Sequence, residues 1–272
     1  MSFDWSFFIE KLLFPSDAYL WGLFRTVTIA LLGQVLGIVI GLGIGYGRLS
    51  RFTVIRALSG AYVWVFRGIP VLVLLVLLFA GVAATGLAGF QGFSIGTLQV
   101  PANYQAAVVG LGIHSGAYMA EIIRNGIQSV LPGQIEAAKA LGMSASQRSR
   151  KIVIPQATRV IVPPTGNEFN GLLKTTSLVS VIGVQEIFLI SQSIASTTFR
   201  VFEMMLVVSI SYIVLTGLWS VIQGIIEIKL RAFESSDPAF TWKDSVRKYS
   251  GLSATDRMRS QESRQTADIG RR

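Results

Sequence analysis

Between Arg67 and Glu121 the chain reads GIPVLVLLVLLFAGVAATGLAGFQGFSIGTLQVPANYQAAVVGLGIHSGAYMA: 53 consecutive residues, 68–120, without Asp, Glu, Lys or Arg. A soluble domain carries about 25% charged residues and has no use for such a run. A bilayer does, since each helical span takes about 20 apolar residues. The glycine-rich stretch 86–96 and Pro101 divide the run into two spans. Across all 272 residues the hydrophobic share is 51% and the charged share 14%. The chain is read as an all-α integral membrane protein.

Outward from that run the same patterning predicts about five transmembrane helices. A first span covers 26–46. An amphipathic-looking leader, 1–21, precedes it, with Trp5, Phe7, Phe8, Tyr19 and Trp21 as interfacial aromatics. The second span is expected over about 58–82 and the third over about 102–123, ending at Arg124. A fourth, 156–176, holds Arg159, Glu168, Lys174 and two prolines, so hydropathy alone would pass over it. Residues 177–198 read as a re-entrant or interfacial segment, and 204–226 give 23 uncharged residues for the last span. The membrane-spanning core is placed at 22–232. The tail, 233–272, holds 14 of the 39 charged residues among Ser, Gln and Thr, and is expected to be disordered.

Charge decides orientation. With the C-terminus in the cytoplasm, the inside loops (about 47–58, 124–159 and 229–272) carry 19 Lys and Arg, and the outside segments carry 3. That bias puts the N-terminus outside and the 124–159 loop in the cytoplasm. The net charge of +9 thus follows topology and gives no reason to expect nucleic-acid binding. There are no cysteines, which excludes disulfides and thiol chemistry. MSFDWSFFIEKLLF carries acids and no leading basic cluster, so it is not expected to be a cleaved signal peptide.

The cytoplasmic loop contains EAAKALGMSASQRSRKIVIP, residues 136–155. Pro132 suits a first helical turn, and 134–141 are good helix formers. Gly142 sits where a left-handed cap ends a helix. Ser144 and Gln147 have capping-box spacing, so a second short helix starts there. Arg148, Arg150 and Lys151 fall in its last turn, and Pro155 is expected to close it. The product is either a solvated linker or a compact helix–corner–helix knob able to enter a groove.

Charged side chains within spans are costly and mark candidate functional positions. Arg67 offers a rigid donor fork to a carboxylate, or a structural partner to a backbone carbonyl or Glu121. His114, Tyr118 and Glu121 share one helix face, with Ser115 beside them. Such a stripe lines a water path or makes interhelical hydrogen bonds. GNEFNGLLKTTSL adds Asn167, Glu168, Asn170, Lys174 and Thr175, expected beside a cavity or partner subunit; Lys174 equally suits the outer interface. No GxxxxGK[ST] loop is present, so the chain supplies no ATPase of its own. A single histidine argues against a hydrolytic triad or a metal cluster, and no catalytic residue is expected.

The 136–155 segment fits EAA-x3-G-x9-I-x2-P, which resembles the coupling loop of ABC-importer permeases. YVWVFRGIPVLVLLVLLF, HSGAYMAEIIRNGIQSVLPGQIEAAKALGMS and IVIPQATRVIVPPTGNEFNGLLKTTSLVSVIGVQEIF are similar to the polar amino-acid branch of type I ABC permeases. That is the branch of the histidine, arginine, glutamine and glutamate importers, and the likeness covers about 22–229. It implies a bacterial inner-membrane permease paired with itself or a sister subunit. It also implies two cytoplasmic ATPases that use ATP and Mg, and an extracytoplasmic amino-acid-binding protein. No cofactor is implied on this chain. The resemblance assigns ATPase coupling to Glu136, Ala137, Ala138, Gly142, Ile152 and Pro155, with Arg148 among the basic residues between them. The substrate path is expected at Arg67, His114, Ser115, Tyr118, Glu121, Glu168, Asn170, Lys174 and Thr175. Where relatives read LLKDTSL, this chain has Thr175 in the acidic position, which favours glutamate or glutamine over a cationic substrate. A secondary transporter or channel would also carry polar residues in spans, but it predicts inverted repeats and no such knob. A non-transporting scaffold leaves the polar stripes without purpose.

Overall fold

The computed structural model describes residues 3–86, 89–96 and 98–232; the tail from 233, with its expected disorder, lies outside them. The chain divides into Met1–Thr216 and a second unit from Gly217, of which the helix through 232 is described. Among the described residues three helices are long and apolar enough to cross a membrane, and the number is five if each of two bent helix pairs counts as one span.

The leader forms α1, Trp5–Leu13, capped by Asp4, whose side chain accepts from Phe7 N–H. It is tied down by an ion pair at 2.8 Å between Arg200 and Asp4, and by Asp4 N–H donating to Glu203 at 3.0 Å. The first span, α2, is longer than hydropathy indicated. It runs Asp17–Arg48 because Ser16 caps it by accepting from Tyr19 N–H, so Tyr19 and Trp21 belong to the span and not to the leader.

The second span departs from expectation. It is not continuous: α3, Thr53–Gly68, ends at Ile69 in extended backbone (φ −83°, ψ 129°), and α4, Val71–Val76, restarts after Pro70 at a 106° bend. The ring of Pro70 disfavours helix at the residue before it and removes the N–H that would continue the ladder. A π turn, Leu77–Gly81, and a short α5, Val82–Ala84, complete this arm. The glycine-rich connection includes a small hairpin, β1 (Phe93–Ile95) paired antiparallel with β2 (Leu98–Val100).

The third span, α6, is Ala102–Gln128. It packs parallel to α2 through glycines at every fourth position. A Cβ on Gly33, Gly37 or Gly41 would lie 3.3 Å from Leu111, 2.7 Å from Ser115 or 2.4 Å from Met119, and one on Gly45 would meet Ile123 at 3.3 Å. Small residues at this spacing let two backbones approach, which is what holds helices together where lipid removes the hydrophobic incentive.

Beyond α6 come α7, Pro132–Ala140, and α8, Ala145–Arg148. Pro155 does not close the segment. A π turn, Ser149–Val153, leads straight into α9, Ile154–Thr175, where Pro155 occupies the first turn and its missing N–H leaves little unpaired. Pro163 and Pro164 lie inside α9, with Thr165 donating to the Ile161 carbonyl beside them. A 3-10 segment, Thr176–Ile182, continues the helical run from Ala145, and α10, Ile187–Thr198, follows it at a 54° bend. The last span is α11, Val201–Ala232. One buried cluster joins Ile29, Leu75, Leu111, Leu172 and Val179; a second joins Tyr19, Ile187, Met204 and Val207.

Candidate functional site

Four helices bring polar groups together about half-way along α6. His114 is twelve residues into that helix, about 18 Å at 1.5 Å per residue, against a hydrocarbon core of about 30 Å. The Arg67 guanidinium, from the last turn of α3, lies over the Tyr118 ring, 4.9 Å from its centroid. Tyr118 in turn packs on His114, ring centroids 5.0 Å apart. The break at Pro70 delivers Arg67 here: α3 stops one residue after it. His114 Nδ1 is buried without a hydrogen-bond partner. Glu168, from α9, interacts electrostatically with Arg67 and lies near the Ser115 hydroxyl. Ser115 also donates to Gln34 Oε1 at 3.2 Å, and Gln34 contacts the sulfur of Met119 at 3.4 Å.

Arg67, His114, Ser115, Tyr118 and Glu168 therefore form one constellation. Glu121 does not join it. Its carboxylate is held by Arg124 at 2.9 Å and Arg48 at 3.3 Å, at the far end of α6. Asn170 is part-buried, about 200° round α9 from Glu168. Lys174 is exposed, and the Thr175 hydroxyl donates to the Gly171 carbonyl at 3.0 Å, one to two turns beyond Glu168. Gln34 was missed by the sequence reading, although a lone amide within a glycine-spaced apolar helix was the available signal. Glu186 was missed as well. It is fully buried at the start of α10, accepting from Phe188 N–H, Leu189 N–H and the Tyr212 hydroxyl. Among the described residues no cluster of His, Asp and Glu is placed to hold a metal ion.

The knob is built as its residues predict. Gly142 has φ +74°, and Gly142 N–H donates to Lys139 O while Met143 N–H donates to Ala138 O. This is the Schellman pattern that ends a helix on a left-handed residue. Ser144 and Gln147 make both bonds of the capping box. Arg148 donates to the Met143 carbonyl, and Gln156 to Gln134, pinning α8 and α9 back on α7. Ala138 is buried, Ile152 half-buried, and Glu136 and Ala137 exposed. Leu131 and Leu141, at the two ends of α7, are 64% and 82% exposed, leaving an apolar tip without an intramolecular partner.

A polytopic helical bundle with a polar constellation at mid-depth and a rigid apolar-tipped knob defines a transport permease rather than an enzyme. Residues 37–232 match the family described as binding-protein-dependent transport system inner membrane components. The chain is 40% identical over 212 residues to an arginine transport system permease protein of Corynebacterium glutamicum, a match covering 75% of this chain and 65% of that relative. It is 33% identical to a probable glutamine ABC transporter permease protein of Bacillus subtilis, over 73% of this chain and 86% of the relative. A crystal structure of an amino acid ABC transporter with histidines superposes with a TM-score of 0.73 at 34% identity, covering 84% of this chain and all of that one. The chain belongs to this family of inner-membrane components, as the permease subunit of an ABC transporter.

Proposed function

We propose that the chain forms the translocation path of an ATP-driven importer of polar amino acids, with glutamine or glutamate as the favoured substrate. The observation that carries this reading is that one guanidinium, Arg67, and one carboxylate, Glu168, share a site with Tyr118, His114 and Ser115 about half-way along α6. One cation and one anion match the carboxylate and ammonium of an amino-acid zwitterion. Thr175 adds no second acid for a cationic side chain. The membrane-spanning core, 22–232, works as a pair with a second copy or a sister permease. The knob of 125–155 docks on a separate ATPase through Glu136, Ala137, Ala138, Gly142, Arg148, Ile152 and Pro155, with Leu131 and Leu141 filling its groove. ATP and Mg act on that ATPase, and an extracytoplasmic binding protein delivers substrate. The protein sits in the bacterial cell membrane, N-terminus outside, C-terminus cytoplasmic.

The test is uptake into proteoliposomes holding the chain, its partner permease, ATPase and binding protein, with labelled glutamine, glutamate and arginine. ATP-dependent uptake of glutamine or glutamate, abolished by Gly142→Asp, is the expected result. Preference for arginine would overturn the substrate assignment, and uptake without ATP would overturn the coupling.

A further inference from the structure

Glu121 lies where three helices meet on the cytoplasmic side. Arg124, one turn on in α6, grips its Oε2 with two donors, Nη2 at 2.9 Å and Nε at 3.1 Å. Arg48, the last residue of α2, reaches its Oε1 at 3.3 Å. The two halves differ in kind. Oε1 makes no hydrogen bond, so the link to α2 is an ion pair without hydrogen-bond geometry, whereas the link within α6 is well formed. Arg48 also crosses α3: a Cβ on Gly60 would lie 3.3 Å from its Nη1. The carboxylate is 17% exposed and the two arginines 26% and 27%, so the charges are partly shielded from screening by solvent.

The same helix leads directly to the knob. Only residues 129–131 separate α6 from α7, and the Ser129 hydroxyl and N–H both bond back to α6, to the carbonyls of Gly126 and Asn125. A displacement of α7 therefore pulls on the end of α6 that holds Glu121. The glycine seam already packs α6 on α2, and the contact with Arg48 adds a charged link at the end of both helices, beside α3.

We propose that Glu121 is a positioning residue for energy coupling. Through Arg48 it links the helix that carries the coupling loop to the helices that carry Gln34 and Arg67, and Arg124 only aims its carboxylate. The inference rests on the chain being an ATP-driven permease. A loose ion pair suits this role, because it holds one arrangement without preventing the next, while a tight buried network would resist the change.

The experiment measures ATP hydrolysis and amino-acid uptake on the same proteoliposomes for wild type, Glu121→Gln, Glu121→Asp, Arg48→Gln and Arg124→Gln, with recovery of the assembled complex as a control. Glu121→Gln and Arg48→Gln are expected to raise the ATP used per molecule imported by about fivefold or more, the lower end of typical inter-site couplings. Arg124→Gln leaves that ratio within about twofold, and Glu121→Asp restores most of it. An unchanged ratio in Glu121→Gln, with the wild type tightly coupled, would overturn the proposal alone. A Glu121→Gln chain that no longer assembles would make the residue a folding element and overturn it too. Wild-type uptake that ignores ATP would overturn the functional reading and this inference with it.

Discussion

The guanidinium of Arg67 lies over the Tyr118 ring, 4.9 Å from carbon to ring centroid. The ring neutralises nothing, so the guanidinium keeps its charge for a ligand while its position is held. Its electrostatic partner is Glu168, on α9.

Removing the ring while keeping bulk tests that contact. Tyr118→Leu is expected to raise the KM for uptake several-fold, on the order of the 0.5–2 kcal/mol that a cation over a ring contributes. Tyr118→Phe retains the face and is expected to behave as wild type. Equal losses in both variants would sink the idea that the face matters.

Charge balance at mid-depth predicts a change of selectivity. Glu168→Gln leaves Arg67 without its acid, so the site turns from matched to net cationic. Relative uptake is expected to move from glutamine towards glutamate by about tenfold, as one lost charge partner carries on the order of 1.4 kcal/mol. Competition assays with both amino acids check this, and an unchanged ratio would remove Glu168 from the path.

The α2–α6 seam gives a stability prediction with an internal control. A Cβ at Gly41 would lie 2.4 Å from Met119 Cβ, whereas one at Gly43, two residues away, meets nothing within 4 Å. Gly41→Ala is expected to destabilise by about 1–3 kcal/mol, the range of overpacking. Gly43→Ala is neutral or slightly stabilising through helix propensity. Thermal unfolding in detergent distinguishes them.

Glu186 is expected to behave as a structural acid. It accepts from two N–H groups and from Tyr212 at 2.9 Å, with no exposure to solvent. Glu186→Gln turns one acceptor into a donor facing donors and is expected to cost about 1–3 kcal/mol. Tyr212→Phe costs less, about 1 kcal/mol, because only one bond is lost and no buried donor is stranded. Unfolding midpoints read both, and equal melting of Glu186→Gln and wild type would contradict the buried network.

At the knob, Leu141 is the exposed tip. Leu141→Asp is expected to prevent copurification with the ATPase without lowering the melting temperature, since the side chain has no intramolecular packing to lose. Retained ATPase binding would move the docking surface elsewhere on the loop.

Local chemistry made much of this legible in advance. The knob could be read residue by residue because each of its features is a short-range effect: proline at a first turn, Gly142 in left-handed backbone, Ser144 bonded three residues on. The charge-free run could be read because a bilayer imposes length and apolarity on every span. Pro70 was in plain view too, yet the second span looked continuous, because hydropathy averages over a window and does not register one missing N–H.

What the sequence alone determined is the membrane and the form of the loop, set by composition or by neighbours within a helical turn. The tertiary structure alone decided which charges are partners. His114, Tyr118 and Glu121 lie on one face of α6, and spacing cannot distinguish them. The packing of α6 against the α2 glycines at every fourth position brings Arg48 to Glu121. The bend after α3 brings Arg67 to Tyr118, so one face splits into a site half-way along α6 and an ion pair near its end. Electrostatic contacts act over a few ångströms in space, and distance along the chain does not report them.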